Sequence, residues 1–343
     1  MSSIPSGAGR LRAYIQFIAA VLYFFVARSL AHSGALDIVS SQWSPLFEQA
    51  MLALLLLLGY AGMGFWLDRQ LHPLSEQGWP RRPEWPSEAG TGLAVGWALS
   101  VACVLLLTLG GGIAIVLSLQ TSAWGWLLAD AAFFALAALV EEVAFRGYGF
   151  QCFAHAVGPM GAALGFAAFY AILQSFLPGS SRTSILVSVA LSLLLSMAYL
   201  RTRALWLSWG LNFGWKASRA LFFGLAVSGV NSHSPVVQGN PMGPFWLTGG
   251  GFGLDGSRIA FILLLAALPV VYRLTRDLDY RYNAPVIVPG GIAVDLDAAA
   301  RNAHEAAMGA PQPVSNPLVQ ILPATQQPEN PEPPPVNSTA ASS

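Results

Sequence analysis

The chain has 343 residues, of which 55% are hydrophobic and only 10% charged, and its formal net charge is zero. Soluble domains carry charge on about a quarter of their residues, so an ordinary soluble protein is excluded. The balanced charge also argues against nucleic acid or another polyanion as a partner, which leaves the lipid bilayer as the natural solvent.

Taken from the N-terminus, residues 1–12 are small, polar and basic and read as a short disordered lead. Apolar stretches able to cross about 30 Å of hydrocarbon follow at Ala13 to Leu30, Phe47 to Trp66, Gly92 to Leu119, Ala123 to Phe145, Gly158 to Phe176, Thr183 to Leu200, Ala204 to Val227 and Arg258 to Tyr272. The pattern predicts an all-α polytopic membrane bundle of about eight transmembrane helices spread over residues 13–277. The first stretch also has features of a cleavable signal, with Arg10 and Arg12 before an apolar core and small residues after it. An uncleaved span is preferred, because it gives the whole chain one consistent orientation. Arg10 and Arg12, then Arg69, Arg81 and Arg82, then Arg201 and Arg203, then Arg273, Arg276 and Arg281 fall on one side, while the other side receives Arg182, with Arg28 and Arg258 at span ends. By the positive-inside rule both termini are expected in the cytoplasm, in a bacterial inner or plasma membrane.

Between the spans, Asp68 to Gly90 is a linker rich in Pro, Trp and Arg, whose tryptophans are expected at headgroup level. Gly110-Gly111-Gly112 marks a break or a close-packing site in the long third span. Asp130 lies three helical turns before Glu141 on the same face and reads as a polar group satisfied at the rim of the bundle. The glycines of Gly224 to Gly256 read as structural turns, since no Lys-Ser/Thr follows to make a phosphate loop. Cys103 and Cys152 lie in or beside apolar spans without metal-type spacing. Residues 283–343 shift to Ala, Pro, Asn, Gln and Ser and are expected to be a disordered cytoplasmic tail. No internal repeat is visible, which weighs against a solute carrier.

The chemistry concentrates in Leu139-Val140-Glu141-Glu142-Val143-Ala144-Phe145-Arg146, at the end of an apolar run. A charged side chain at bilayer depth costs about 3 kcal/mol on insertion scales, so such residues face a protein interior and mark a functional site. Glu142 and Arg146 stand i,i+4 and can pair, while Glu141 points about 100° away and stays available for a metal or a water. The fifth span adds Tyr170-x-x-x-Gln174. The seventh adds Asn212-x-x-x-Lys216, with Arg219 on nearly the same face, and Lys216 is the only lysine in the chain.

Glu141-Glu142-x-x-x-Arg146 resembles the first motif of the CPBP family, which contains the type II CAAX prenyl endopeptidases and bacteriocin-processing proteins. Leu200-x-x-x-Ala204-Leu205-Trp206, Phe223-Gly224-x-x-Val227-Ser228-Gly229 and Thr248-Gly249-Gly250-x-Phe252-Gly253 resemble bacterial members too, and the likeness spans about residues 78–272. The resemblance implies an eight-helix intramembrane metalloprotease in which Glu141 acts as base, Glu142 as its partner and Arg146 positions them. It further implies zinc, whose bound water reaches a pKa near 7 and attacks a peptide carbonyl.

The sequence departs from that pattern where metal ligands are expected. Gln174 stands at one expected histidine, and Asn212 with Lys216 replaces a His-x-x-x-Asn pair, so no metal ligand set is assigned. Neutral amide oxygens suit hard ions better than zinc, and a lysine is a cation that a carboxylate pair would welcome. The expectation is therefore that Lys216 pairs with Glu141 or Glu142 in the charge role of the metal. The polar core would then survive in a non-catalytic relative that binds a membrane-embedded peptide or protein partner. An active protease with altered ligands is the alternative. Of the histidines, His155 is nearest to the motif, while His32, His72, His233 and His304 fall in loops or the tail.

Overall fold

The computed structural model describes residues 7–118 and 120–278. The tail at 283–343, His304 and the first residues of the lead lie outside them. Helices α1 (Gly7–Ile38) and α2 (Ser44–Asp68) form an antiparallel pair, followed by the single turn α3 (Pro73–Glu76) and by α4 (Trp85–Gly110). After strand β1 (Ile113–Leu117) come α5 (Thr121–Arg146), α6 (Tyr148–Val157), α7 (Pro159–Ser175), α8 (Arg182–Thr202) and α9 (Trp206–Ala217). The chain closes with β2 (Val237–Pro241), the turn α10 (Phe245–Thr248) and α11 (Arg258–Leu274). The fold is an all-α membrane bundle. Among the described residues five helical segments are long and apolar enough to cross a bilayer, namely α1, α2, α4, α8 and the run Ala123–Val157 that α5 and α6 share, and α7 is a shorter apolar helix.

Two expected spans end early. The third stops at Gly110 instead of reaching Leu119, because Gly112 turns through φ +99° and the chain then pairs as β1 with β2, antiparallel, from Ile113 opposite Pro241 to Leu117 opposite Val237. A side chain at Gly111 would strike the Met242 carbonyl, so the glycine run is where the two segments meet. The seventh span leaves the α-helical path after Ala217 for a π turn over Ser218–Phe222. It then bends at Gly224, whose φ of +62° and contact with the Gly239 backbone admit only glycine.

The placement of α9 follows from its glycines. Gly92 and Gly96 on α4 face Gly210 and Gly214 on α9, and a Cβ built on any of the four falls within 2.4 Å of a backbone oxygen of the other helix. The helices therefore touch backbone to backbone, as small-xxx-small pairs allow in a bilayer, where burial of apolar surface drives no association. Ser100 Oγ donates to the Trp215 carbonyl at 3.0 Å and fixes the register. At the base of α9 the linker tryptophans pack on Trp206, Trp79 at 4.7 Å and Trp85 at 4.6 Å between ring centroids, and Trp206 Nε1 donates to the Pro80 carbonyl at 3.0 Å. They clamp the entry to α9, a role the headgroup reading did not foresee.

Among the described residues the apolar core falls into four clusters, of which two are the largest. Cys103, Leu107, Leu194, Leu211, Trp215 and Leu264 knit α4, α8, α9 and α11 together, whereas Phe24, Leu52, Leu56, Tyr60, Val140 and Val143 join α1 and α2 to α5. On α8, Ser184, Ser188, Ser192 and Ser196 form a buried stripe at helical spacing. Ser181 and Ser184 cap its start reciprocally.

Candidate functional site

Three elements converge on the polar cluster. The C-terminal part of α5 carries Glu141, Glu142 and Arg146, α9 carries Asn212 at its middle and Lys216 in its last turn, and α8 supplies Ser192. Glu142 is fully buried, and its Oε1 accepts from Arg146 Nη1 at 3.0 Å and from Asn212 Nδ2 at 3.1 Å. Arg146 uses its other nitrogen, Nη2, on the carbonyl and hydroxyl of Ser192, each at 3.2 Å. Asn212 Nδ2 also donates to Glu141 Oε2 at 3.0 Å. Both acids only accept, so the amide must turn its nitrogen toward the pair.

Lys216 Nζ contacts Glu141 Oε1 in an ion pair whose side chains are 8% and 24% exposed. Tyr170 reaches Glu141 Oε2 through its hydroxyl at 3.5 Å, a weak contact, and Gln174 Nε2 donates to that hydroxyl at 3.1 Å. Two carboxylates thus meet one guanidinium and one ammonium, and the cluster is neutral as a whole. Neutrality is what lets it sit among apolar helices, since an unpaired ion there would cost several kcal/mol. Glu142 Oε2 and Asn212 Oδ1 are buried without a partner at hydrogen-bond geometry among the described residues.

Of the residues singled out from the sequence, Glu141, Glu142, Arg146, Asn212 and Lys216 come together, and Gln174 joins through Tyr170. Arg219 does not. At the start of the π turn it pairs instead with Asp255, which accepts at Oδ1 from Arg219 Nη1 at 2.7 Å and from Trp215 Nε1 at 3.2 Å. The other oxygen of Asp255 accepts from the Ser228 backbone N–H at 3.0 Å and hydroxyl at 2.9 Å. Burial pushes the Asp255 carboxyl up, but the Arg219 charge, the hydrogen bonds from Arg219 and Ser228 and the Lys216 charge together outweigh it and hold the group below its usual range.

Asp130 stays apart from the cluster and anchors the loop between α9 and β2, accepting from Ser234 N–H at 2.7 Å and lying 3.0 Å from His233 Nδ1. His155 is exposed on α6. Asp255 and Ser192 were missed from sequence. Asp255 was discernible as a lone acid in a glycine-rich loop, while Ser192 is one of many serines on α8 and carries no signal of its own.

A cavity of about 440 Å³ opens beside the cluster. Phe24, Phe133, Phe134, Phe145, Leu173 and Leu177 are among its walls, Glu141, Gln174 and Lys216 of the site line it, and so do Arg28, Glu48 and Val227, Ser228 and Val230 of the loop after α9. Its size is that of a small-molecule site, about 300 to 1,000 Å³.

Residues 122–218 match the family model described as type II CAAX prenyl endopeptidase Rce1-like. No curated protein and no solved structure matches the chain. The match covers α5 to α9, the stretch that supplies every member of the cluster. Zinc, which this family implies, does not fit the residues present. Among the described residues no group of three or more His, Cys, Asp or Glu side chains gathers at a metal-binding spacing. The two carboxylates that do meet are each already neutralised by a cation of the protein.

Proposed function

We propose, from the premise that residues 122–218 are an Rce1-like region in an integral membrane protein, that an internal ion-pair cluster replaces the metal centre and that the cavity beside it holds a membrane-embedded occupant. The observation that carries this reading is Lys216 Nζ on Glu141, where a metal-bound water would need the same carboxylate as its base. With that oxygen committed to an ammonium, and with amide and amine groups where imidazole would have to stand, zinc-dependent peptide hydrolysis has neither its Lewis acid nor its base. The arginine distribution supports an orientation with both termini in the cytoplasm of a bacterial inner or plasma membrane.

Metal analysis of the purified protein tests the reading. The expected result is no stoichiometric zinc, and no change in melting temperature or peptidase signal on adding zinc. Stoichiometric zinc that disappears in Glu141→Ala would overturn it. That outcome would favour a protease with an altered ligand set, for which the two unpartnered oxygens, Glu142 Oε2 and Asn212 Oδ1, would supply the extra donors.

A further inference from the structure

We propose that Lys216 is a covalent attachment site for a long-chain apolar aldehyde, held in the cavity as a protonated imine with Glu141 as its counter-ion. This names an occupant for the cavity of the preceding reading and rests on the place given there to Lys216.

The first support is the choice of cation. Among the described residues the ion pairs of Asp68, Glu88, Glu142 and Asp255 are made by Arg12, Arg82, Arg146 and Arg219. Lys216 is the only lysine in 343 residues, and it stands where the cluster meets the cavity. For pairing alone arginine serves as well or better, being planar, weakly hydrated and always charged. Lysine differs in that its amine can give up its proton and act as a nucleophile, a property used wherever buried lysines form Schiff bases.

The second support is the setting. Nζ has a carboxylate in contact, Glu141 Oε1, that can take the proton. The space beside it is lined mainly by aromatic and aliphatic side chains, with Arg28, Glu48 and Gln49 among its further polar residues, so an occupant long enough to fill it is largely apolar and is drawn from the bilayer. Phe25 and Phe176, both exposed, stand at its margin.

The third is charge conservation. The ammonium passes a proton to Glu141, and the nitrogen lone pair attacks the carbonyl carbon. A C–N bond forms, the carbonyl oxygen takes a proton from the nitrogen to become hydroxyl, and Glu141 returns its proton so that this hydroxyl leaves as water as the C=N bond closes. Overall an ammonium and an aldehyde become an iminium and one water, with no redox change. The product keeps one positive charge opposite Glu141, so the neutrality of the cluster survives modification. An amide or ester of the same chain would leave the carboxylate unpaired.

Full-length protein in detergent is incubated with equimolar dodecanal and cyanoborohydride, which traps the imine as a secondary amine, and is then read by intact mass and by digestion. The expected result is one adduct per chain on the peptide containing Lys216, formed faster than on free lysine in the same detergent, and absent in Lys216→Arg. Proton transfer by a positioned carboxylate contributes about 10²-fold or more, and Glu141→Gln is expected to slow trapping by about that factor. No adduct, an adduct on the N-terminal amine alone, or modification of Lys216 no faster than of free lysine would overturn the proposal. Digestion of the wild-type protein decides this even if the variants fail to fold. Zinc content is measured separately, so a failed adduct and a failed metal prediction remain distinguishable.

Discussion

Replacing Lys216 by methionine and Glu141 by glutamine, singly and together, isolates the pair on which the site turns. Breaking a fully buried ion pair from one side costs about 3–5 kcal/mol, because a charge is left stranded in low dielectric. Glu141 is 24% exposed to the cavity and keeps Asn212 at 3.0 Å, so Lys216→Met should fall near the lower end, about 2–3 kcal/mol. Glu141→Gln should cost more, since the 8% exposed ammonium loses the one acid in salt-bridge contact with it among the described residues. The double variant leaves a neutral amide beside a thioether of similar reach. It should recover about 2 kcal/mol relative to the sum of the singles, within the range found for residues in contact. Equilibrium unfolding of the detergent-solubilised protein by added SDS measures all four corners of the cycle. Additivity within about 0.5 kcal/mol would show that the two groups do not stabilise one another and would remove the physical basis for the metal-replacement reading.

Gly96→Ala should destabilise the bundle by about 1–3 kcal/mol, because its Cβ would lie 2.2 Å from the Leu211 carbonyl. Gly90→Ala on the same helix meets nothing within 4 Å and should be neutral or slightly stabilising in the same unfolding assay. Since the folded state holds the Asp255 carboxyl below its usual value of 3.8, its contribution is fully present above that value and is lost as pH falls through the lower folded value. Thermal melts from neutral to acid pH should therefore show a flatter acid limb in Asp255→Asn than in the wild type. The combined substitution Gln174→His, Asn212→His and Lys216→Asn should gain zinc binding detectable by calorimetry. Failure to gain it would mean that the scaffold itself, and not only its ligands, has diverged.

The membrane bundle was legible because long apolar runs and one-sided arginines report directly on a bilayer. The Glu142–Arg146 contact was legible too, since i,i+4 spacing on one helix fixes the geometry without any knowledge of tertiary structure. The meeting of Lys216 with Glu141 rested on a different inference, a charge requirement joined to a family pattern. Helix ends were read poorly at Gly110 and after Ala217. Apolar composition continues past both, and only backbone conformations open to glycine, or a π turn, show where the chain turns away. The partner of Arg219 was hidden for a related reason. The Arg219 guanidinium lies over Trp215, one turn back, and reaches Asp255 in a distant loop, a pairing that no helical spacing reports. The Gly92/Gly96 and Gly210/Gly214 contact went unread because glycine carries no side-chain signal, although it sets the distance from which Asn212 reaches both acids.

The stretch between Val227 and Asp255 is bolted at two corners, Ser228 to Asp255 and Ser234 to Asp130, and it roofs the chamber in which the lysine waits. Traffic from above would have to undo both fastenings at once. Entry between the helices would disturb neither, and loading and emptying by that route would follow the thickness and fluidity of the surrounding lipid more closely than the solution overhead.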